Sequence, residues 1–153
     1  MTSRSAVVEA IVEALEKAFG DARVFVCATP QFLEFPPGAR YIEVIPGSQA
    51  EEGNTSAFGV GRYSFTVCAF QRLQVDRSGD AVQRLAQSTE NLMAAVDLVD
   101  TSLLNNSLSG LLTEPIWPES AEAPEDSPIE GDGWAMQRRT YRCTFSYSFP
   151  DYR

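Results

Sequence analysis

From Ser5 to Phe19 the apolar residues Val7, Ile11, Leu15, Ala18 and Phe19 recur three or four positions apart, with Glu9, Glu13, Glu16 and Lys17 between them. That spacing predicts a helix with one buried stripe, capped by Ser3 or Ser5 and stopped at Gly20. The pattern then changes. Arg23 to Ala28 is a short run rich in β-branched and aromatic residues ending before Pro30, Pro36-Pro37-Gly38 forces a turn, and Arg40 to Ile45 forms a second strand closed by Pro46-Gly47. Residues 58–72 alternate with period two, Tyr63, Phe65, Val67 and Ala69 on one face and Arg62, Ser64, Thr66 and Cys68 on the other. A second helix is predicted from about Asp80 to Asp100, capped by Ser78 or Asp80. Its stripe is Val82, Leu85, Ala86, Thr89, Leu92, Met93, Val96 and Val99. Residues 101–112 have mixed periodicity and support a turn plus a short strand around Leu111 to Trp117. Trp134 to Phe149 alternates again, with Tyr141, Cys143, Phe145, Tyr147 and Phe149 as the core face and Arg138, Thr140, Arg142, Thr144, Ser146 and Ser148 as the polar one.

Two segments lack an apolar anchor. Residues 47–57 are polar and turn-rich, which predicts a mobile hairpin tip between two strands. Residues 114–132 hold seven carboxylates, four prolines and no basic residue, so 114–133 reads as an acidic, proline-rich loop leaving the domain. The element order predicts an α+β fold, a single domain over 1–153 with an antiparallel or mixed β-sheet and two main helices packed on one face.

Composition narrows the chemistry. A chain of 153 residues has room for one core, and no stretch approaches the roughly 20 apolar residues of a spanning helix. The N-terminus enters a Glu-bearing helical pattern instead of a signal-peptide core, which predicts a cytosolic protein. The formal net charge of −9 argues against a surface built to neutralise phosphates. Histidine is absent, which removes the commonest general base, the commonest metal ligand and every His-containing triad. No catalytic activity, cofactor or metal is expected. Cys27, Cys68 and Cys143 stand too far apart in sequence for a CxxC pair and are expected to be buried, reduced thiols.

The remaining motifs are modest. Gly59-Val60-Gly61 precedes a strand and lacks the residues of a phosphate loop, so it reads as a strand entry or bulge. Asp97 with Asp100, and Asp76 with Asp80, lack the ligand alternation of a calcium loop and read as solvated helix ends. Arg138, Arg139 and Arg142 carry more information, because arginine is preferred for bidentate pairing at interfaces. They are either guards on a solvent-facing strand or partners for Glu51, Glu52 or the acidic 114–132 segment, in the same chain or a neighbour. The candidate interface residues are therefore Arg138, Arg142, Gln49, Glu51, Glu52 and Asn54.

The order of an N-terminal helix, a hairpin with a long polar tip between 46 and 58, a second helix and a final long strand ending Thr-Phe-Ser-Tyr-Ser-Phe resembles the tail-terminator (tail-completion) proteins of long-tailed bacteriophages. The resemblance implies a virion protein of the tail or neck, assembled in the host cytoplasm. It implies a hexameric ring that ends the tail tube and joins it to the head connector, with tail-tube and connector proteins as partners. DNA would pass through the lumen without specific binding, and no membrane is involved. A wall of like sign suits such a passage, and six chains carry a formal −54. The alternatives are another head–tail connector or neck component, a module binding a small apolar ligand between helix stripe and sheet, and, last, an enzyme working without histidine.

Overall fold

The computed structural model describes residues 3–20, 23–29, 40–52, 58–72, 81–126 and 134–148. Helix α1 spans Arg4–Ala18, and the Ser3 side chain accepts the Ala6 amide at 3.1 Å as its N-cap. It ends where the Phe19 amide donates to the Leu15 carbonyl and Phe19 leaves helical geometry. Strands β1 (Arg23–Val26), β2 (Arg40–Glu52) and β3 (Phe58–Arg72) follow, then helix α2 (Ala81–Leu103). The chain closes with β4 (Glu114–Ala121), β5 (Glu125–Asp126) and β6 (Trp134–Ser148).

The fold is α+β with a mixed sheet in the order β1-β2-β3-β6-β4, β5 pairing with the start of β6. Among the described strands only β1 with β2 is parallel, and the stretch 27–39 between them has the roughly dozen residues such a crossover needs. The two longest strands run side by side over their whole length, from Phe58 opposite Ser148 to Arg72 opposite Trp134.

Both helices lie on one face of this sheet. Val7, Ile11 and Leu15 of α1 and Leu92, Ala95, Val99 and Leu103 of α2 are buried against Ile42, Val44, Tyr63, Phe65, Tyr141 and Phe145. Each fully buried aliphatic or aromatic side chain of this kind contributes about 1.5–3 kcal/mol. The opposite face has its own smaller apolar cluster at one end, formed by Tyr41, Cys68, Phe70, Trp134 and Met136, with Phe25 and Ile45 at its margin. No helix among the described residues is long and apolar enough to cross a membrane.

Four expectations need correction. Residues 47–52 are strand: β2 runs through Pro46-Gly47, absorbing them as a register shift between Pro46 and Gln49, before pairing on to Glu52. Glycine is required at the shift, since a Cβ at Gly47 would sit 2.3 Å from the Ser64 carbonyl oxygen. Residues 53–57 of the expected tip lie outside the described residues. The acidic segment does not leave the domain at its start, because 114–121 forms β4 along the outer edge of β6. Backbone pairing there is compatible with charge: of the eight β4 side chains only Ile116 is buried, and Pro115 and Pro118 stand on an edge strand where proline is tolerated.

Helix α2 continues past Asp100 to Leu103, and its buried stripe runs through Leu92, Ala95, Val96, Val99 and Leu103. Met93, one residue off that line and so rotated by about 100°, is 55% exposed, and Thr89 is exposed as well. Val82, Leu85 and Ala86 have side chains outside the described residues, as do both proposed caps. Finally, the strand expected from Leu111 begins at Glu114. Asn105, Leu108, Ser109 and Gly110 all take positive φ, which turns the chain while Leu108 and Leu112 reach into the core.

Candidate interaction surface

The face of the sheet turned away from the helices carries the even-numbered side chains of β3 and β6. Arg142 lies there because its neighbours Tyr141 and Cys143 are buried on the helix side, and Arg138 shares its parity. The two arginines stand about 13 Å apart along the strand. Thr66 and Thr140 face each other across β3 and β6 with their hydroxyls 3.1 Å apart. Ser64 Oγ lies 3.1 Å from both carboxylate oxygens of Glu119 and donates to that group, which reaches over β6 from β4. Glu122 Oε2 lies 3.9 Å from Arg138 Nε, and its backbone amide donates to the Arg138 carbonyl. Trp117 is the direct cross-strand neighbour of Arg142 and is 52% exposed. Arg62, exposed, completes the group on β3.

The structure brings only part of the expected set together. Arg138 and Arg142 share one face, and the acidic segment supplies Arg138 with a carboxylate from the same chain. Gln49, Glu51 and Glu52 sit in the outer half of β2, opposite Tyr63, Gly61 and Val60. The Arg138 row crosses β2 at Glu43, through Cys68, so Glu51 is about 25 Å further along the strand. Asn54 lies outside the described residues. Arg139, grouped with its neighbours in sequence, points to the opposite side. There its Nε donates to Asp100 Oδ1 at 2.9 Å, and the Tyr141 hydroxyl donates to the same oxygen. Asp100 is thus a partner in a network and not a solvated helix end.

Trp117, Glu119 and Glu122 were hidden by the composition of their segment. The one signal for them was the single apolar pair Ile116-Trp117 between prolines, which fits an edge strand with one buried and one exposed face.

The thiols and phenols have a common physical state. Burial pushes Cys143 up to about 12, and its Sγ donates to the Tyr63 carbonyl at 3.5 Å. Burial first, and the Glu43 carboxylate second, raise Cys27. Burial also raises Tyr63, and burial followed by the Asp100 carboxylate raises Tyr141. These groups are held neutral by the fold, whereas in the unfolded chain the thiols ionise near 9.0 and the phenols near 10.0. Stability should therefore be flat through neutral pH. It should fall as pH rises above about 9, because only the unfolded chain releases protons there. Urea titrations at pH 7, 9 and 10.5 check this. Ellman's reagent at pH 8 should label Cys27 slowly and Cys68 and Cys143 only on unfolding.

Among the described residues no group of three or more Cys, Asp or Glu side chains is placed to hold a metal ion. An open groove of about 480 Å³ runs outside α1, lined by Ala10, Glu13, Ala14, Lys17, Leu108 and Leu111 among others. No model of a known protein family matches the chain, and no curated protein matches it.

Proposed function

We propose that this chain is a structural, non-enzymatic subunit of a bacteriophage tail or neck, forming a six-membered ring that terminates the tail tube and meets the head connector. The observation that carries the reading is the one-sided architecture. Strands of 13 and 15 residues are covered by helices on a single face, while the other face offers arginines, hydroxyls and an exposed tryptophan. Exposed Trp and Arg side by side are the residue types that dominate protein interfaces. A long sheet extension past the register shift, in β2, β3 and β6, suits contact with a neighbouring ring. A small-ligand module draws less support, because the space between helix stripe and sheet is filled by fully buried side chains such as Ile11, Phe65 and Tyr141.

The test is tube assembly. Purified chain added to its polymerising tail-tube protein should give tubes of limited length with a ring at one end by negative-stain microscopy, and a native mass of six subunits. Replacing Glu51 and Glu52 by Lys, which leaves the β2 backbone free to pair with Gly61 and Val60, should keep the fold intact and abolish capping. A chain that remains monomeric in the presence of the tube protein overturns the reading.

A further inference from the structure

We infer that the open edge of β1 pairs antiparallel with β1 of a second copy about a twofold axis at Phe25, seating Val26 of each chain in the recess beside Val24 of the other. The contact is isologous, so it couples two chains instead of extending a ring, and it is independent of the proposed capping role.

The two edges of the sheet are finished differently. At β4 the Ile116 amide donates to the Asn106 carbonyl at 3.0 Å, the Ile116 carbonyl accepts from the Asn105 amide at 3.3 Å, and Pro115 and Pro118 deny the row two amides. That edge is closed. At β1 the Cys27 amide donates to the Val44 carbonyl, which fixes the ladder: Arg23, Phe25 and Cys27 turn their backbone groups toward β2, whereas Val24 and Val26 turn theirs outward. Among the described residues nothing pairs with those outward groups, and β1 ends the strand order. The strand lies beside Tyr41 to Val44, before the register shift, so the long extension of β2, β3 and β6 stays free.

A knob and a hole flank this edge. Val24 packs against the helix-side core, and Val26, two residues on, shares its face but is 51% exposed. An open recess of about 320 Å³ adjoins Val24 at the end of α1, lined by Glu16, Phe19 and Gly20 among others, and a Cβ on Gly20 would meet nothing within 4 Å. Antiparallel pairing centred on Phe25 sets Val24 opposite Val26 of the other chain, twice. Each pair exchanges both of its backbone bonds, and each exposed valine enters the recess of the other copy. On the opposite face Phe25 meets its own counterpart, beside the Tyr41 ring 6.3 Å away. A knob and a hole two residues apart on one strand are what a twofold axis brings together, which selects a second copy of this chain as the occupant.

Cross-linking reads the register directly. Residue 23 stands opposite Cys27 of the other chain as a pair without mutual hydrogen bonds, the closer type of antiparallel pair, whereas within one chain the two are about 13 Å apart. Arg23→Cys, at an exposed site, should therefore give a dimer linked through Cys27 when treated with oxidised glutathione, mapped by mass spectrometry, and adding Cys27→Ser should abolish it. By sedimentation velocity the native chain should dimerise as its concentration rises. Val26→Glu sets a carboxylate against Glu16 of the other chain, and Val26→Pro removes only an amide that β2 does not use. Each should weaken the dimer at least about tenfold with circular dichroism unchanged. Both variants should still cap tail tubes, so failure of the dimer and failure of the capping role are read separately. A native chain that stays monomeric at every concentration overturns the inference, as does a dimer that both Val26 variants leave unchanged or an Arg23→Cys variant that does not link through Cys27.

Discussion

Trp134→Ala should cost about 3–5 kcal/mol of folding stability, among the largest effects of any single substitution in this chain. Trp134 is 2% exposed and lies on the sheet face opposite α1 and α2, where its ring meets Tyr41 at 5.6 Å and an edge angle of 60°. Tyr41 in turn stacks on Phe70 at 4.3 Å, and the Arg72 guanidinium lies 5.1 Å from the Trp134 ring centre. Removing the indole leaves a void that three strands border. Backbone pairing holds the strands in place and prevents collapse, so the loss includes a cavity contribution as well as lost burial. The control is built in: Trp117→Ala, at a site 52% exposed, should change stability by less than about 0.5 kcal/mol in the isolated subunit. Urea unfolding of both variants measures the difference, and a Trp134→Ala loss below about 1 kcal/mol would show that the second cluster does not hold the sheet.

That cluster also marks how far the sequence could be read. The alternation of β3 and β6 correctly predicted the helix-side face, because Tyr63, Phe65, Tyr141, Cys143 and Phe145 obey a strict period of two. The same rule assigned the other face as polar, which holds at Ser64, Thr66 and Thr140 but fails at Cys68, fully buried in a cluster with Phe70, Trp134 and Met136. A strand of 15 residues crosses two environments, and a single polarity cannot describe it. The helices were legible from Val7, Ile11, Leu15 and Val99. Met93 was misread because residues 92 and 93 are both apolar, and only packing decides which of two neighbours, about 100° apart, faces inward.

The acidic segment was misread for a different reason. Composition reports where side chains go, and those of β4 other than Ile116 do stay in water, but the backbone of an edge strand can pair regardless of its side chains. For the interface, sequence distance grouped Arg139 with Arg138 and Arg142, whereas the pleat separates them onto opposite faces. Nothing in the local pattern pointed Asp100 toward β6, since that contact depends on how α2 lies across the sheet.

The Asp100 contact leads to the second large effect. Asp100→Ala should destabilise the chain by about 2–3 kcal/mol. One carboxylate oxygen accepts from both Arg139 Nε and the Tyr141 hydroxyl. The side chains of Asp100 and Arg139 are only 26% and 18% exposed, so water compensates poorly for a missing partner. Burial works against the Arg139 charge, and the Asp100 carboxylate outweighs it, which leaves the guanidinium more firmly protonated than usual. Without Asp100 a half-buried cation and a fully buried phenol would both lose their acceptor. The network is also the polar tie between the last turns of α2 and the middle of β6, so its loss should loosen the helix locally before global unfolding. Amide exchange in 96–103 should accelerate more than in α1. Asp100→Asn, which keeps an acceptor but not the charge, should lose less than alanine. A double-mutant cycle with Arg139→Met should return a coupling of at least about 1 kcal/mol, because once Asp100 is gone the buried cation is a liability that methionine removes. Additive single effects would mean that the two residues stabilise the fold independently and that α2 is held to the sheet by its apolar stripe alone.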